Sequence, residues 1–229
     1  SGSTEKIRIL LNDRVKFYVP LDISFDFINK SSKKLFKSFP NLKTLPTYCD
    51  YIKYIKLPKN ISKTKIGFFL GSSIGNFYNK EEKKFLENSK KTLGKKSFLF
   101  VGVDLTKNVK ILKKAYNDKG NFTAKFNLNL INIMNKQVKT KLKVKDFKYI
   151  PTFNKKKNSM ENFIVSKKDQ VFFIKNKKFT LKKGEKIQTE ISNKFTISKF
   201  SKLAKSSGWQ VQKYWKDAKK YYAVFLLQA

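Results

Sequence analysis

Residues 65–77 read KIGFFLGSSIGNF, a short apolar run that passes directly into a turn carrying two glycines. A run this brief, closed by Gly and Ser rather than by further helical periodicity, is the pattern of a strand handing over to a turn. Asn79, Glu81 and Glu82 then open a helix, because negative charge suits a first turn. The pattern points Phe85 and Leu86 inward and ends the helix near Gly94. Residues 97–103 (SFLFVGV) form the next strand, ending in Asp104. Upstream, 15–19 (VKFYV) is β-branched and aromatic and ends at Pro20, Leu21 and Asp22. Ser24 is placed to cap a helix bearing Phe25, Phe27, Ile28 and Leu35, and 42–48 is a strand closed by Cys49, Asp50 and Tyr51. Strands alternating with helices at this spacing predict an α/β fold with a doubly wound, mostly parallel sheet. Ligands of open α/β sheets sit at the carboxyl ends of the strands, which is where Asp22, Asp50 and Asp104 fall.

The second half changes character. Helices are expected over 109–117 and 123–135, the latter marked by Phe126, Leu130, Ile133 and Met134. Residues 145–153 and 162–166 read as extended, with short strands at 170–174 and 179–181. A helix at 196–206 and a hairpin from 209–215 and 221–227 close the chain. The organisation this predicts is one α/β domain, 1–106 with 197–229, carrying an α+β insertion at 107–196.

With 229 residues, 40% of them hydrophobic, the chain can build a real core. It holds no histidine and a single cysteine, Cys49, which excludes Ser-His-Asp triads, Cys-His pairs, disulfide frameworks and His- or Cys-based metal sites. No metal ligand set is assigned. No apolar run approaches the roughly 20 residues of a membrane-spanning helix, and no basic-then-apolar leader opens the chain; the expectation is a cytoplasmic protein without a membrane partner. Lys plus Arg is 52 against 16 Asp plus Glu, a net charge of +36. Only Arg8 and Arg14 are arginine, so the rigid fork that favours phosphate and base recognition is nearly missing. The lysines are spread along the whole chain, and they read as solvated surface rather than as a nucleic-acid footprint. An RNA methyltransferase or basic nucleic-acid-binding protein stays open on charge alone. Oligomeric state is not legible.

The chain opens Ser1, Gly2, Ser3, Thr4, Glu5, Lys6 without an initiator Met. This reads as the tail of a glycine turn entering a helix, so the expectation is an N-terminal truncation lacking the first sheet strand. Gly2 followed about 20 residues later by Asp22 matches nucleoside-binding logic, in which glycine allows close backbone approach and an acid accepts from ribose hydroxyls. A loop glycine and a helix-capping aspartate would give the same spacing.

The turn LGSSIGNF at 70–77 resembles the signature of the histidine-specific, S-adenosylmethionine-dependent methyltransferases, the ergothioneine-pathway enzymes that make trimethylhistidine (hercynine). Further motifs agree in order: YVPLDIS at 18–24, GVDLTK at 102–107, AYND at 115–118, FTAKFNLN at 122–129 and TEISNKF at 189–195. The resemblance spans essentially the whole chain. It implies a class I, Rossmann-like methyltransferase domain with a substrate-binding insertion, and S-adenosylmethionine as cofactor. It assigns Gly2 and Lys6 to the cofactor's methionine part, Asp22 to its ribose, and Asp50 and Tyr51 to its adenine. On the substrate side it assigns Gly71, Asn76 and Tyr116, the last two fixing a carboxylate, and gives Glu190 and Ser192 to an imidazole. Asn162 departs from the family, which commonly has an apolar methionine there. This leaves another small amine open as the substrate. No residue is assigned as a chemical catalyst, since transfer from a sulfonium can rest on positioning, worth roughly 7–11 kcal/mol.

Overall fold

Two prolines set the grain of the first third of the protein. A computed structural model describes residues 5–12, 14–58, 61 and 64–229. After a short helix α1 (Glu5–Arg8), strands β1 (Phe17–Tyr18) and β2 (Leu21–Asp22) flank Pro20. Helix α2 (Phe25–Ser38) leads to β3 (Lys43–Thr44) and β4 (Thr47–Tyr48), which flank Pro46. β1 pairs with β3 and β2 with β4, both parallel, with Asp22 opposite Tyr48. The strand expected over 42–48 is thus two short pieces, and beyond the strand expected over 15–19 a second ladder forms at Leu21–Asp22, because proline offers no N–H to continue the pairing. α2 buries Ile28, Ser32 and Leu35, while Phe25 and Phe27 face outward. Ser24 occupies the N-cap position without a side-chain cap bond; instead its own N–H donates to Asp22 Oδ1 at 3.0 Å.

β5 (Ile66–Phe69), a 3-10 turn at Ser73–Asn76, α3 (Glu81–Leu93) and β6 (Phe98–Asp104) follow as the glycine turn and acidic helix start imply. α3 ends on Gly94 at φ 83°, the left-handed cap that glycine reaches without strain. The excursion beyond β6 holds α4 (Val109–Tyr116), α5 (Phe122–Val138), β7 (Phe147–Asn154), β8 (Ser159–Ser166), β9 (Gln170–Ile174), β10 (Lys177–Leu181) and β11 (Lys186–Asn193). The chain closes with α6 (Ile197–Ser206), β12 (Gln210–Lys216) and β13 (Tyr222–Gln228).

The main sheet has the order β12-β13-β6-β5. It is mixed, not mostly parallel: β5 runs parallel to β6, and β13 is antiparallel to both of its neighbours. Alternate residues Leu99, Val101 and Val103 of β6 and Ala223, Phe225 and Leu227 of β13 are buried together. α3 supplies Phe85 and Leu86 to this core, and α6 supplies Phe200 and Ala204. Trp209 sinks its ring there and donates its indole N–H to Leu86 O at 2.8 Å. Among the described residues, no helix is long and apolar enough to cross a membrane.

The excursion has its own antiparallel sheet, β11-β8-β7, and its own core around Ile131, Phe147, Ile164, Phe172 and Leu181. Its two ends are stitched together. Leu105 bridges Phe195, Phe195 N–H donates to Asp104 O at 2.9 Å, and Thr106 N–H donates to Phe195 O at 2.9 Å. α5 is rotated relative to the sequence pattern: Asn127 and Ile131 are buried, while Phe126, Leu130 and Ile133 are exposed. A buried asparagine is tolerated because Asn127 accepts from the Thr189 hydroxyl and donates to Thr123 O.

The start of α5 is held by Asp118, whose carboxylate accepts from Phe122 N–H at 2.7 Å and Thr123 N–H at 2.9 Å. Hydrogen bonding from Thr123, then Phe122, lowers its pKa from 3.8 to about 2. The folded-state pKa lies below the unfolded one, so this stabilisation is complete above the unfolded value and is lost as pH falls toward 2. NMR titration should place the Asp118 midpoint near this depressed value; a midpoint at the ordinary aspartate position would discard the cap.

Candidate functional site

The carboxyl end of β6, the end of β11 and the 3-10 turn after β5 meet at one place. Gly71 (φ 99°) and Ser72 (φ 64°) turn the chain through left-handed backbone, and Gly71 N–H donates to the Tyr222 hydroxyl at 3.1 Å. The turn then lies directly on the end of β11: a Cβ at Gly75 would stand 2.7 Å from the Asn193 carbonyl oxygen. Asn193 clasps from its side, donating Nδ2–H to Phe77 O at 3.1 Å. This contact brings Asn76 to Glu190. Gly75→Ala should push turn and strand apart, costing about 1–3 kcal/mol as overpacking does, and should withdraw Asn76 from Glu190. A denaturant melt and the Asn76 side-chain amide resonance by NMR would detect both effects.

Glu190 is the centre of the arrangement. Its Oε1 accepts from Asn76 Nδ2 at 3.3 Å, and its Oε2 accepts from Asn162 Nδ2 at 2.8 Å. Asn162 lies opposite Glu190 across the β11–β8 ladder and is buried. The Tyr149 hydroxyl lies 2.8 Å from Asn162 Oδ1 and 3.1 Å from Tyr116 O. Because the first contact makes Asn162 Oδ1 the acceptor, its amide nitrogen is turned toward Glu190. Burial, and then the negative charge of Glu190, raise the Tyr149 pKa and keep it a neutral phenol. The Tyr78 phenol is raised by burial and then by the negative charges of Glu190 and Glu161.

A second cluster lies next to it. Lys194, fully buried, places Nζ 2.8 Å from Asp104 Oδ2, 2.6 Å from Ser192 Oγ and 3.0 Å from the Tyr116 hydroxyl. Asp104 Oδ1 takes a second lysine, Lys107, at 2.5 Å. The strand-end acid Asp104 thus serves as an anchor for lysines within the protein.

On the other side, Asp22 ends β2 and Asp50 lies just past β4, the parallel strand paired with it. Asp50 Oδ1 accepts from Ile52 N–H at 3.1 Å, and its Oδ2 lies 3.4 Å from Lys53. Cys49 N–H donates to Asp22 O at 3.1 Å, which joins the two strand ends, and burial first, then the charges of Asp22 and Asp50, raise both Cys49 and Tyr51. The Tyr51 ring also packs edge-on to Phe69 at 5.4 Å, tying that edge to β5. A pair of carboxylates beside an aromatic ring, at the carboxyl ends of parallel strands, fits a ligand presenting ribose hydroxyls and an adenine amino group.

The structure therefore brings Asn76, Glu190, Ser192 and Tyr116 into two adjoining clusters, and sets Asp22, Asp50 and Tyr51 along a strand edge. Gly71 lies in the turn that delivers Asn76. Gly2 and the Lys6 side chain lie outside the described residues. Sequence reading missed Lys194 and Tyr149 and met Asn162 only as a departure. Lys194 completes the alternation Glu190, Ser192, Lys194, but one more lysine in so basic a chain carries no signal.

Residues 1–229 match the family described as histidine-specific methyltransferase, SAM-dependent. The chain is 23% identical to the histidine N-alpha-methyltransferase of Mycolicibacterium smegmatis, covering 95% of this chain and 70% of that protein. It is 33% identical to the Neurospora crassa ergothioneine biosynthesis protein 1 over 56% of this chain and 16% of that protein. Among solved structures, an S-adenosylmethionine-dependent methyltransferase from Clostridium acetobutylicum superposes with a TM-score of 0.53 at 12% identity, covering 99% of this chain and 80% of that one. That likeness establishes the α/β, Rossmann-like methyltransferase fold.

Proposed function

The chain belongs to the histidine-specific, S-adenosylmethionine-dependent methyltransferases, and from that membership we propose that it transfers methyl groups to the α-amine of free L-histidine, giving trimethylhistidine for ergothioneine biosynthesis. The single observation that carries the substrate is Glu190, a carboxylate held open by two side-chain amides at the seam between sheet and excursion. Beside its two amide donors the carboxylate keeps lone pairs for a ring N–H, and an apolar ring would cover that charge without supplying one.

S-adenosylmethionine, when bound, supplies a methyl group on a positively charged sulfur. The α-ammonium would first lose one proton to solvent, and the freed lone pair would then form the C–N bond as the S–C bond breaks with its electrons left on sulfur. The protein's part is position. We assign Asp22 to the ribose, Asp50 and Tyr51 to the adenine, and Gly2 and Lys6 to the methionine part. Asn76, delivered by the Gly71 turn, and Tyr116 at the end of α4 hold the amino acid's carboxylate, and Glu190 with Ser192 hold the imidazole. In this reading 107–196 is the substrate-binding insertion and the remainder is the cofactor platform. Holding amine and methyl in line is worth roughly 7–11 kcal/mol.

Mass spectrometry of histidine incubated with protein and cofactor should show one, two and three added methyl groups. Untouched histidine beside a methylated RNA, or beside a different methylated amine, would replace this substrate.

A further inference from the structure

Lys194 is a lysine without solvent, and its three contacts have a direction. An ammonium carries three protons and no lone pair, so it can only donate. Its partners Asp104 Oδ2, Ser192 Oγ and the Tyr116 hydroxyl therefore all accept from it. Asp104 cannot swing away, because its other oxygen is held by Lys107. Among the described residues, neither the Ser192 nor the Tyr116 hydroxyl donates to a protein acceptor, so each keeps its own proton for something else. Ser192 is only 5% exposed, and a buried hydroxyl proton left unpaired is costly.

We propose that Lys194 is a positioning residue that turns the Ser192 and Tyr116 hydroxyls into donors, so that the pocket reads a neutral ring bearing one N–H and one bare nitrogen. This rests on the reading of Glu190 and Ser192 as the ring-binding pair. Glu190 and Ser192 stand two apart on β11, on one face of the strand. Glu190 accepts only, and each of its oxygens already takes one amide N–H. Ser192 accepts from Lys194 and, with no protein acceptor for its own proton among the described residues, satisfies that proton only on a ligand lone pair. A neutral imidazole offers one N–H and one lone pair. A pyrrole of the same size offers only the N–H, and an imidazolium offers two N–H groups and no lone pair. The same logic turns the Tyr116 proton toward an anionic acceptor such as an amino acid's carboxylate.

The test compares histidine with β-(pyrrol-2-yl)alanine as substrates. The unmodified protein should show a KM roughly 10- to 100-fold higher for the pyrrole analogue, the scale of one unpaired buried donor. Ser192→Ala should bring that ratio close to one by raising the histidine KM. Lys194→Met should also collapse it while S-adenosylhomocysteine binds as before. Equal KM values for the two amino acids in the unmodified protein overturn the proposal and leave histidine methylation standing. No turnover of either overturns both. A folded Lys194→Met protein that keeps the ratio, or that loses cofactor and histidine affinity alike, reduces Lys194 to packing. If Lys194→Met does not fold, Ser192→Ala decides, and a ratio unchanged in that variant overturns the idea.

Discussion

Glu190→Ala should raise the KM for histidine roughly 10- to 150-fold, the equivalent of one hydrogen bond to a charged group, with affinity for S-adenosylmethionine nearly intact. The carboxylate touches Asn76 and Asn162, not the Asp22 and Asp50 edge, so its loss is felt on the substrate side alone. Removing it also strands the buried Asn162 amide, whose orientation stays fixed by Tyr149. Glu190→Gln is the sharper variant. Asn76 and Asn162 both donate, so one of them must face the new amide nitrogen, donor against donor. Gln at this position should therefore impair histidine binding nearly as much as Ala despite its matching shape. Steady-state kinetics on both variants, with calorimetry of the cofactor, decide the matter; an unchanged histidine KM would remove Glu190 from the pocket.

The other large effect is expected at Asp22. Asp22→Ala removes the charged acceptor proposed for the ribose hydroxyls, and affinity for S-adenosylhomocysteine should fall roughly 10- to 150-fold. The substitution also frees the Ser24 N–H at the entrance to α2, a structural loss unrelated to ligand. Asp22→Asn separates the two, since its amide oxygen can still accept from Ser24 while the charge is gone. Cofactor affinity should be low in both variants and thermal stability lowered only in the alanine form. Calorimetry that finds wild-type affinity in Asp22→Asn would move the ribose site elsewhere.

The parts of this architecture that announce themselves in the sequence are those encoded over a few neighbouring residues. KIGFFL followed by a glycine turn, the Glu81–Glu82 helix start, the Gly94 stop and the closing hairpin are local statements, and the structure follows them. α5 went the other way because its inward face is chosen by a partner far along the chain: Asn127 is buried to meet Thr189, and the apolar stripe of Phe126, Leu130 and Ile133 is left outside. The site divides similarly. Asp22, Asp50 and Asp104 are legible as acids at strand ends. That Asp104 holds lysines rather than ligand is not, because the decisive contact comes from Lys194 on the far side of the excursion. Asn76 and Glu190, 114 positions apart, are joined only by the close approach that Gly75 allows.

The stitch between Leu105–Thr106 and Phe195 has a wider consequence. A segment that leaves and re-enters through adjacent backbone hydrogen bonds presents the sheet with the same doorway whatever its contents. The cost of closing a longer or shorter loop grows only slowly with length, each doubling adding about 0.6 kcal/mol. The excursion can therefore be remodelled, lengthened or exchanged while the strands that carry Asp22 and Asp50 keep their register. Under the site assignment proposed above, the acceptor contacts contributed by the excursion would then behave as an interchangeable fitting on a fixed methyl-donor mount.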